Sequence, residues 1–256
     1  MSRDGYLKTK EEIAAMREGG LILAKVIKKV SENAVSGIAL IELDRLAARL
    51  TKDWGALPAF LGYRPDGALR PYPATICASL NEVVVHGIPG KRVLVPGDVL
   101  KLDFGLRYKG LCVDAAVTLP IGECSAEALK LIEVTREALA RAIRELKPGN
   151  RLGDIGFAVQ NHAEKNNFCV IRGLTGHGVG RVLHEEPVVY NFGWPGKGER
   201  LVSGMVLAVE PMIAVGSEHI VQLPDDSYAT KDRSLSAHFE HTIAVTDEGP
   251  RVLTMI

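Results

Sequence analysis

The chain has 256 residues, 46% hydrophobic and 24% charged, which is enough to bury a large core in one domain or two small ones and reads as soluble and globular. Its 31 basic and 31 acidic residues cancel, so composition gives no electrostatic case for nucleic acid or an anionic membrane surface, and a small or neutral partner is expected. The start, MSRDGYLKTK, lacks the apolar run of a secretory signal and no segment approaches a membrane span, so the cytoplasm is the expected compartment. Cys77, Cys112, Cys124 and Cys169 form no CxxC pair, which argues against a zinc ribbon or a disulfide framework and predicts small buried residues.

Along the chain, TKEEIAAMREGGLILAKVIKKVSENA opens with a capping box at Thr9 and Glu12 and continues with apolar residues at mostly helical spacing. A second helical pattern, ALIELDRLAARLTKDWG, follows. The strand-like stretches ATICASLNEVVVHGIPG, GDVLKLDFGLRY and GLCVDAAVTLP complete the first half. The order then repeats. SAEALKLIEVTREALARAIRELKPG and RLGDIGFAVQNHAEKNNF are helical, and SGMVLAVEPMIAVG and HFEHTIAVTDEG are strand-like. Between them GLTGHGVGRVLHEEP, from Gly173, shows no obvious helix or strand.

The repeat holds residue by residue. GDVLKLDFG from Gly97 lies over GMVLAVEPM from Gly204, placing Asp103 on Glu210, and VDAAVTL from Val113 lies over FEHTIAV from Phe239, placing Asp114 on Glu240. Strand residues of one parity share a face, so two strands per half can aim four carboxylates at one point between the halves. A single acid in a strand is ordinarily a solvated residue, but four matched acids among apolar neighbours predict burial, and buried carboxylates need compensation. A pair of divalent cations would supply it. Oxygen ligands with one imidazole suit Mn, Fe(II), Co or Zn. His177 is the candidate imidazole, because flanking glycines let the backbone approach closely. His184, seven positions on, is given a different task. His162, His219 and, less firmly, His238 are read as ordinary structural or surface histidines.

NEVVVHGIPG, VLKLDFG, GLCVDAAVT, GHGVGRVLHEEP, VLAVEPM and KDRSLSAHFEHTIAVTD stand in an order and at spacings that resemble the type I methionine aminopeptidases, over nearly the whole chain. The resemblance implies an α+β pita-bread fold: a single catalytic domain over 1–256, two pseudo-symmetric halves of roughly 8–120 and 124–250, and a curved antiparallel sheet with helices outside. It implies that Asp103, Asp114, His177, Glu210 and Glu240 bind two divalent metal ions, with Asp114 and Glu240 bridging. The resemblance further implies that Glu210 serves as general base, that His184 stabilises the oxyanion and that His86 contacts the scissile nitrogen. The substrate it implies is the N-terminal methionine of nascent polypeptides whose second residue is small, as in this chain's own MSR start. Docking on a ribosome is left open, and a monomer is the family expectation.

PYPATIC resembles the methionine-pocket segment, making Tyr72 and Cys77 wall residues, with ordinary core packing the equal alternative. Three positions depart from the family pattern. Leu183 replaces a common aromatic, PDDSYATKDRS lacks an expected tryptophan, and His238 stands where glutamine is common, as a group tuning the metal or an inert one. The 25 residues between His184 and Glu210 leave no room for the insertion of type II enzymes, and with a first helix near Thr9 neither a zinc-binding extension nor the amino-terminal domain of prolidases and proline aminopeptidases is expected. Two rival readings stand: a related aminopeptidase with altered first-residue specificity, and a non-catalytic binding protein of the same fold.

Overall fold

A computed structural model describes residues 6–64 and 70–255. The MSR start therefore lies outside the described residues. The α+β architecture expected from the sequence is the one observed. Helix α1 (Lys10–Asn33) begins at the expected capping box, with Thr9 N donating to Glu12 Oε2 at 2.8 Å and Glu12 N donating to Thr9 Oγ1 at 3.2 Å. Its Met16, Leu23, Val26 and Val30 face is buried against the long hairpin of strands Val99–Tyr108 and Leu111–Pro120, each such side chain contributing about 1.5–3 kcal/mol on burial. Helix α2 (Leu40–Asp53) packs on α1. In the second half α3 (Ala126–Glu145), capped by Ser125, and α4 (Leu152–Lys165) pack on each other, and α3 ends just before Pro148 and Gly149, as the sequence predicts.

The main sheet is antiparallel. From one edge it runs Leu57–Pro58, Val99–Tyr108, Leu111–Pro120, Glu240–Thr246, Val206–Val209, Gly176–Gly178, Glu185–Val189, with Cys77–Leu80 also pairing with Val99–Tyr108 and Gly249–Val252 with Glu240–Thr246. Two apolar clusters lie behind it. One gathers Met16, Leu43, Leu102 and Phe104 from the first half, the other Leu131, Val159, Leu207 and Ile243 from the second.

Three local differences from the sequence reading bear on the site. The stretch SGMVLAVEPMIAVG is two strands, Val206–Val209 in the main sheet and Met212–Ala214 in a small sheet with Ser236–His238 and Cys169–Val170. Pro211 has no N–H to continue a ladder, and the chain switches sheets there. The stretch HFEHTIAVTDEG breaks in the same way at Phe239, whose N–H donates to Pro211 O at 3.3 Å. The glycine-rich segment, read as lacking regular structure, forms the strands Gly176–Gly178 and Glu185–Val189, a pair whose glycines carry no β-propensity signal. Finally, Cys77 and Cys112 are buried as expected, whereas Cys124 and Cys169 are partly exposed.

Candidate metal centre and substrate cleft

Two cross-strand rows build the site. Cys77 pairs with Asp103, Asp103 with Ala116, and Ala116 with Glu240, so these four side chains leave the same face of the sheet. Thr242 pairs with Ala208 and Ala208 with His177 in the second row. Glu240 and Thr242 share parity, as do Asp114 and Ala116, which puts Asp103, Asp114, His177 and Glu240 on one face. Glu210 follows the end of its strand, two residues beyond Ala208.

Where the two halves meet, the ladder is short: only Glu240–Ala116 and His241–Ala115 pair. Threonines close the seam. Thr242 Oγ1 accepts from Asp114 N and donates to Asp114 O, both at 2.8 Å, while Thr118 Oγ1 accepts from His238 N at 2.9 Å and donates to His238 O at 2.6 Å. These bonds fix the main chain at the residues whose side chains converge. Asn191 Nδ2 donates to the main-chain Glu210 O at 2.9 Å and holds the backbone at this residue beyond the end of its strand.

His177 is exposed only at its edge, and its Nδ1 donates to Gly178 O at 2.8 Å, leaving the Nε2 lone pair directed inward, 3.5 Å from Glu210 Oε1. The flanking glycines have a steric reason. A Cβ at Gly176 would strike the Ala208 carbonyl and one at Gly178 the Glu186 carbonyl, so a side chain on either would push the strand out of its place in the sheet. A turn between the two short strands brings His184 back to His177, with ring centroids 4.4 Å apart edge to face. The Tyr63 hydroxyl lies 2.6 Å from His184 Nδ1. His86 is held at φ +62°, a left-handed conformation uncommon for a non-glycine residue, and its ring meets Tyr228 edge to face.

All seven positions open on one cleft of about 1640 Å³, whose apolar wall includes Phe60, Tyr63, Tyr72, Cys77, Leu183 and Met212. Tyr72 donates from its hydroxyl to Gly87 O at 2.9 Å and Ile76 O at 3.1 Å, so its ring, not its polar tip, faces the cleft. Burial, then the Asp103 charge, pushes the Cys77 thiol well up and keeps it neutral. A smaller hollow of about 380 Å³ beside Arg141, Arg144 and Asp154 holds none of these residues.

The electrostatics call for cations. Burial first, then the neighbouring acids, raises Asp114 and Glu240 far above the carboxylate range, burial raises Glu210 likewise, and burial and Glu210 hold Asp103 at about 7. Asp103 Oδ1 and Glu240 Oε1 are buried without a hydrogen-bond partner among the described residues. The imidazoles are pushed the other way, mainly by burial: His177 to about 3, His184 down, and His86 down in spite of its solvent-exposed edge. The neutral His177 ring, with its Nε2 lone pair directed inward, and the unpartnered carboxylate oxygens beside it form a donor set that fits divalent metal. Two groups of three have donor atoms close enough to share an ion: Asp114, His177 and Glu240, and Glu210, His238 and Glu240.

The sequence profile of metallopeptidase family M24 matches residues 14–247. The chain belongs to this family. Within it, the chain is 44% identical over 250 residues to methionine aminopeptidase 1 of Bacillus subtilis, covering 97% of this chain and 98% of that protein. It is 45% identical over 254 residues to the methionine aminopeptidase of Aquifex aeolicus, again covering 97% and 98%. The solved methionine aminopeptidase of Thermotoga maritima superposes with a TM-score of 0.93 at 42% identity, covering 98% of this chain and 99% of that one. The curved pita-bread sheet with outer helices expected from the sequence is therefore the fold of this M24 chain. Family membership brings divalent-metal peptidase chemistry with it.

Sequence reasoning missed Tyr63, which lies 121 positions from its partner His184 and in no recognisable motif. It left His238 open between a group tuning the metal and an inert one, and the side chain is buried 3.6 Å from Glu210. His162 is an ordinary structural histidine, as expected, buried with its Nε2 3.0 Å from Glu137 Oε2. Among the described residues no helix is long and apolar enough to cross a membrane.

Proposed function

We propose that this chain is a methionine aminopeptidase that removes the N-terminal methionine of polypeptides with a small second residue, and that its two halves, roughly 8–120 and 124–250, form one catalytic unit. The observation that carries the reading is the convergence of four buried acids and His177 at the floor of an apolar-walled cleft, in a chain so similar to named methionine aminopeptidases.

Asp103, Asp114, His177, Glu210 and Glu240 would hold two divalent ions, of Mn, Fe(II), Co or Zn. When bound, such ions supply Lewis acidity and lower the pKa of water towards neutrality. The chain's own groups do the rest. The methionine side chain, unbranched and apolar, lies against Tyr72, Cys77 and Phe60, and the free amino terminus is drawn to the acids at the cleft floor. Glu210 takes a proton from the attacking water as the new C–O bond forms. With the Tyr63 hydroxyl donating to Nδ1, neutral His184 carries its proton on Nε2 and donates it as a hydrogen bond to the carbonyl oxygen as negative charge builds there. Glu210 returns the proton to the departing nitrogen, which His86 contacts, and the C–N bond breaks. Leu183 is buried in the cleft wall beside His184, leaving more room than an aromatic would, so a pocket admitting first residues other than methionine is the second reading.

Release of free methionine from Met-Ala-Ser by stripped and metal-reloaded protein tests the proposal. A folded, metal-loaded protein that releases none overturns it.

A further inference from the structure

We propose that His238 is a second nitrogen ligand of the metal centre, forming with Glu210 and Glu240 a cation-holding triad beside the one formed by Asp114, His177 and Glu240. The inference rests on the metal-centre reading above and deepens it.

His238 ends the Ser236–His238 strand, and Thr118 fixes both its N–H and its carbonyl. The side chain has 1% exposure, so the ring has no water to turn to. Yet neither Nδ1 nor Nε2 has a hydrogen-bond partner among the described residues. A buried imidazole without partners on either nitrogen is costly, and proteins rarely retain one without a use for it. Its Nε2 lies 3.6 Å from Glu210 Oε2 and 3.9 Å from Glu240 Oε2. Both separations are too long for hydrogen bonds. They are near the ligand-to-ligand edges around one ion, which for bonds of about 2.1 Å in a tetrahedron are about 3.4 Å. A few tenths of an ångström of inward movement by the side chains would close the group on a shared cation.

The competing role is a hydrogen bond from His238 to a ligand carboxylate without contact to the ion. The 3.6 Å gap and the two unpartnered nitrogens speak against it. A centre with two imidazoles and four carboxylates is also softer than one with a single imidazole, shifting its preference towards Zn and Co relative to Mn.

The test is zinc X-ray absorption on the full chain, stripped and reloaded with two equivalents of zinc, reading the number of coordinated imidazoles. Two rings shared between two ions give an average of about one imidazole per zinc, against about half if His177 alone is bound. The parent at about one, falling to about half in His238→Gln and equally in His177→Gln, supports the proposal. The parent already at about half, unchanged in His238→Gln but lowered in His177→Gln, overturns it and leaves the metal-centre reading standing. No imidazole in the parent removes both. If His238→Gln fails to fold by circular dichroism, the parent count decides alone. Zinc affinity should also fall at least tenfold in His238→Gln, but loss of a group merely hydrogen-bonded to a ligand costs about 10–100-fold as well, so the imidazole count is the deciding measurement.

Discussion

Asp103 and Glu240 lie on opposite sides of one small residue: each is the cross-strand partner of Ala116, so the carboxylates of the two halves are separated by the width of an alanine. Ala116 is 1% exposed and leaves the same face as both acids. Enlarging it should drive the carboxylates apart. Ala116→Leu is expected to cost about 1–3 kcal/mol of stability through overpacking. It should weaken metal binding at least about tenfold, or about 1.4 kcal/mol, by calorimetric titration of the stripped protein. Unchanged metal affinity in a folded variant would show that this spacing does not set the site.

The Tyr63 hydroxyl lies 2.6 Å from His184 Nδ1, and as the donor in that contact it would leave the ring proton on Nε2. Tyr63→Phe keeps the aromatic wall and removes the hydroxyl. The expected effect is a fall in kcat of about tenfold, the worth of a single hydrogen bond of roughly 1.4 kcal/mol, with KM changed little. A raised KM with intact kcat would place Tyr63 in substrate binding instead.

Asp103 links stability to pH in the metal-free protein. Its carboxyl is held at about 7, against an ordinary 3.8, chiefly by burial. The folded chain therefore keeps a proton that the unfolded chain releases between about pH 4 and pH 7, and the stability this group contributes at low pH is lost as pH rises through its folded value. Asp103→Asn should consequently raise the melting temperature of stripped protein at pH 8 by at least about 2 °C, equivalent to ~1 kcal/mol in a chain of this size. The gain should shrink towards pH 5 and reverse when metal is added. Scanning calorimetry of both proteins at the two pH values measures this. An equal effect at both would remove the linkage.

Gly178→Ala should be destabilising by at least about 2 kcal/mol, because its Cβ would meet the Glu186 carbonyl, backbone that cannot swing aside. Denaturant unfolding reads the loss, and metal affinity should fall with it as His177 is displaced. Wild-type stability would mean that the segment relaxes freely and that His177 is not rigidly placed.

What was legible in the sequence depended on locality and repetition. Asp103, Asp114, Glu210 and Glu240 stood out because two strands per half carry an acid at matched positions, and strand parity alone then predicts a common face. His177 stood out because of its two glycines. The break at Glu210–Pro211 was overlooked although Pro211 announced it, because apolar residues continue on both sides. The strands around His177 were invisible for the reason that makes them possible: glycine permits the close approach of three strands while depleting the pattern by which strands are recognised. Tyr63 and the threonine clamps at Thr118 and Thr242 act across 120 or more positions, and no local pattern reports such contacts. His238 carried a signal, an imidazole where glutamine is common, but only burial beside two glutamates gives it chemical meaning.

The most direct measurement is mass spectrometry of Met-Ala-Ser and its amino-acetylated copy after incubation with the chelator-stripped chain, with and without Mn, Fe(II), Co or Zn. The account predicts loss of one methionine from the free peptide alone, and only when metal is present. Intact peptide with every metal, from a protein shown to be folded, or equal cleavage of the acetylated copy, would contradict it.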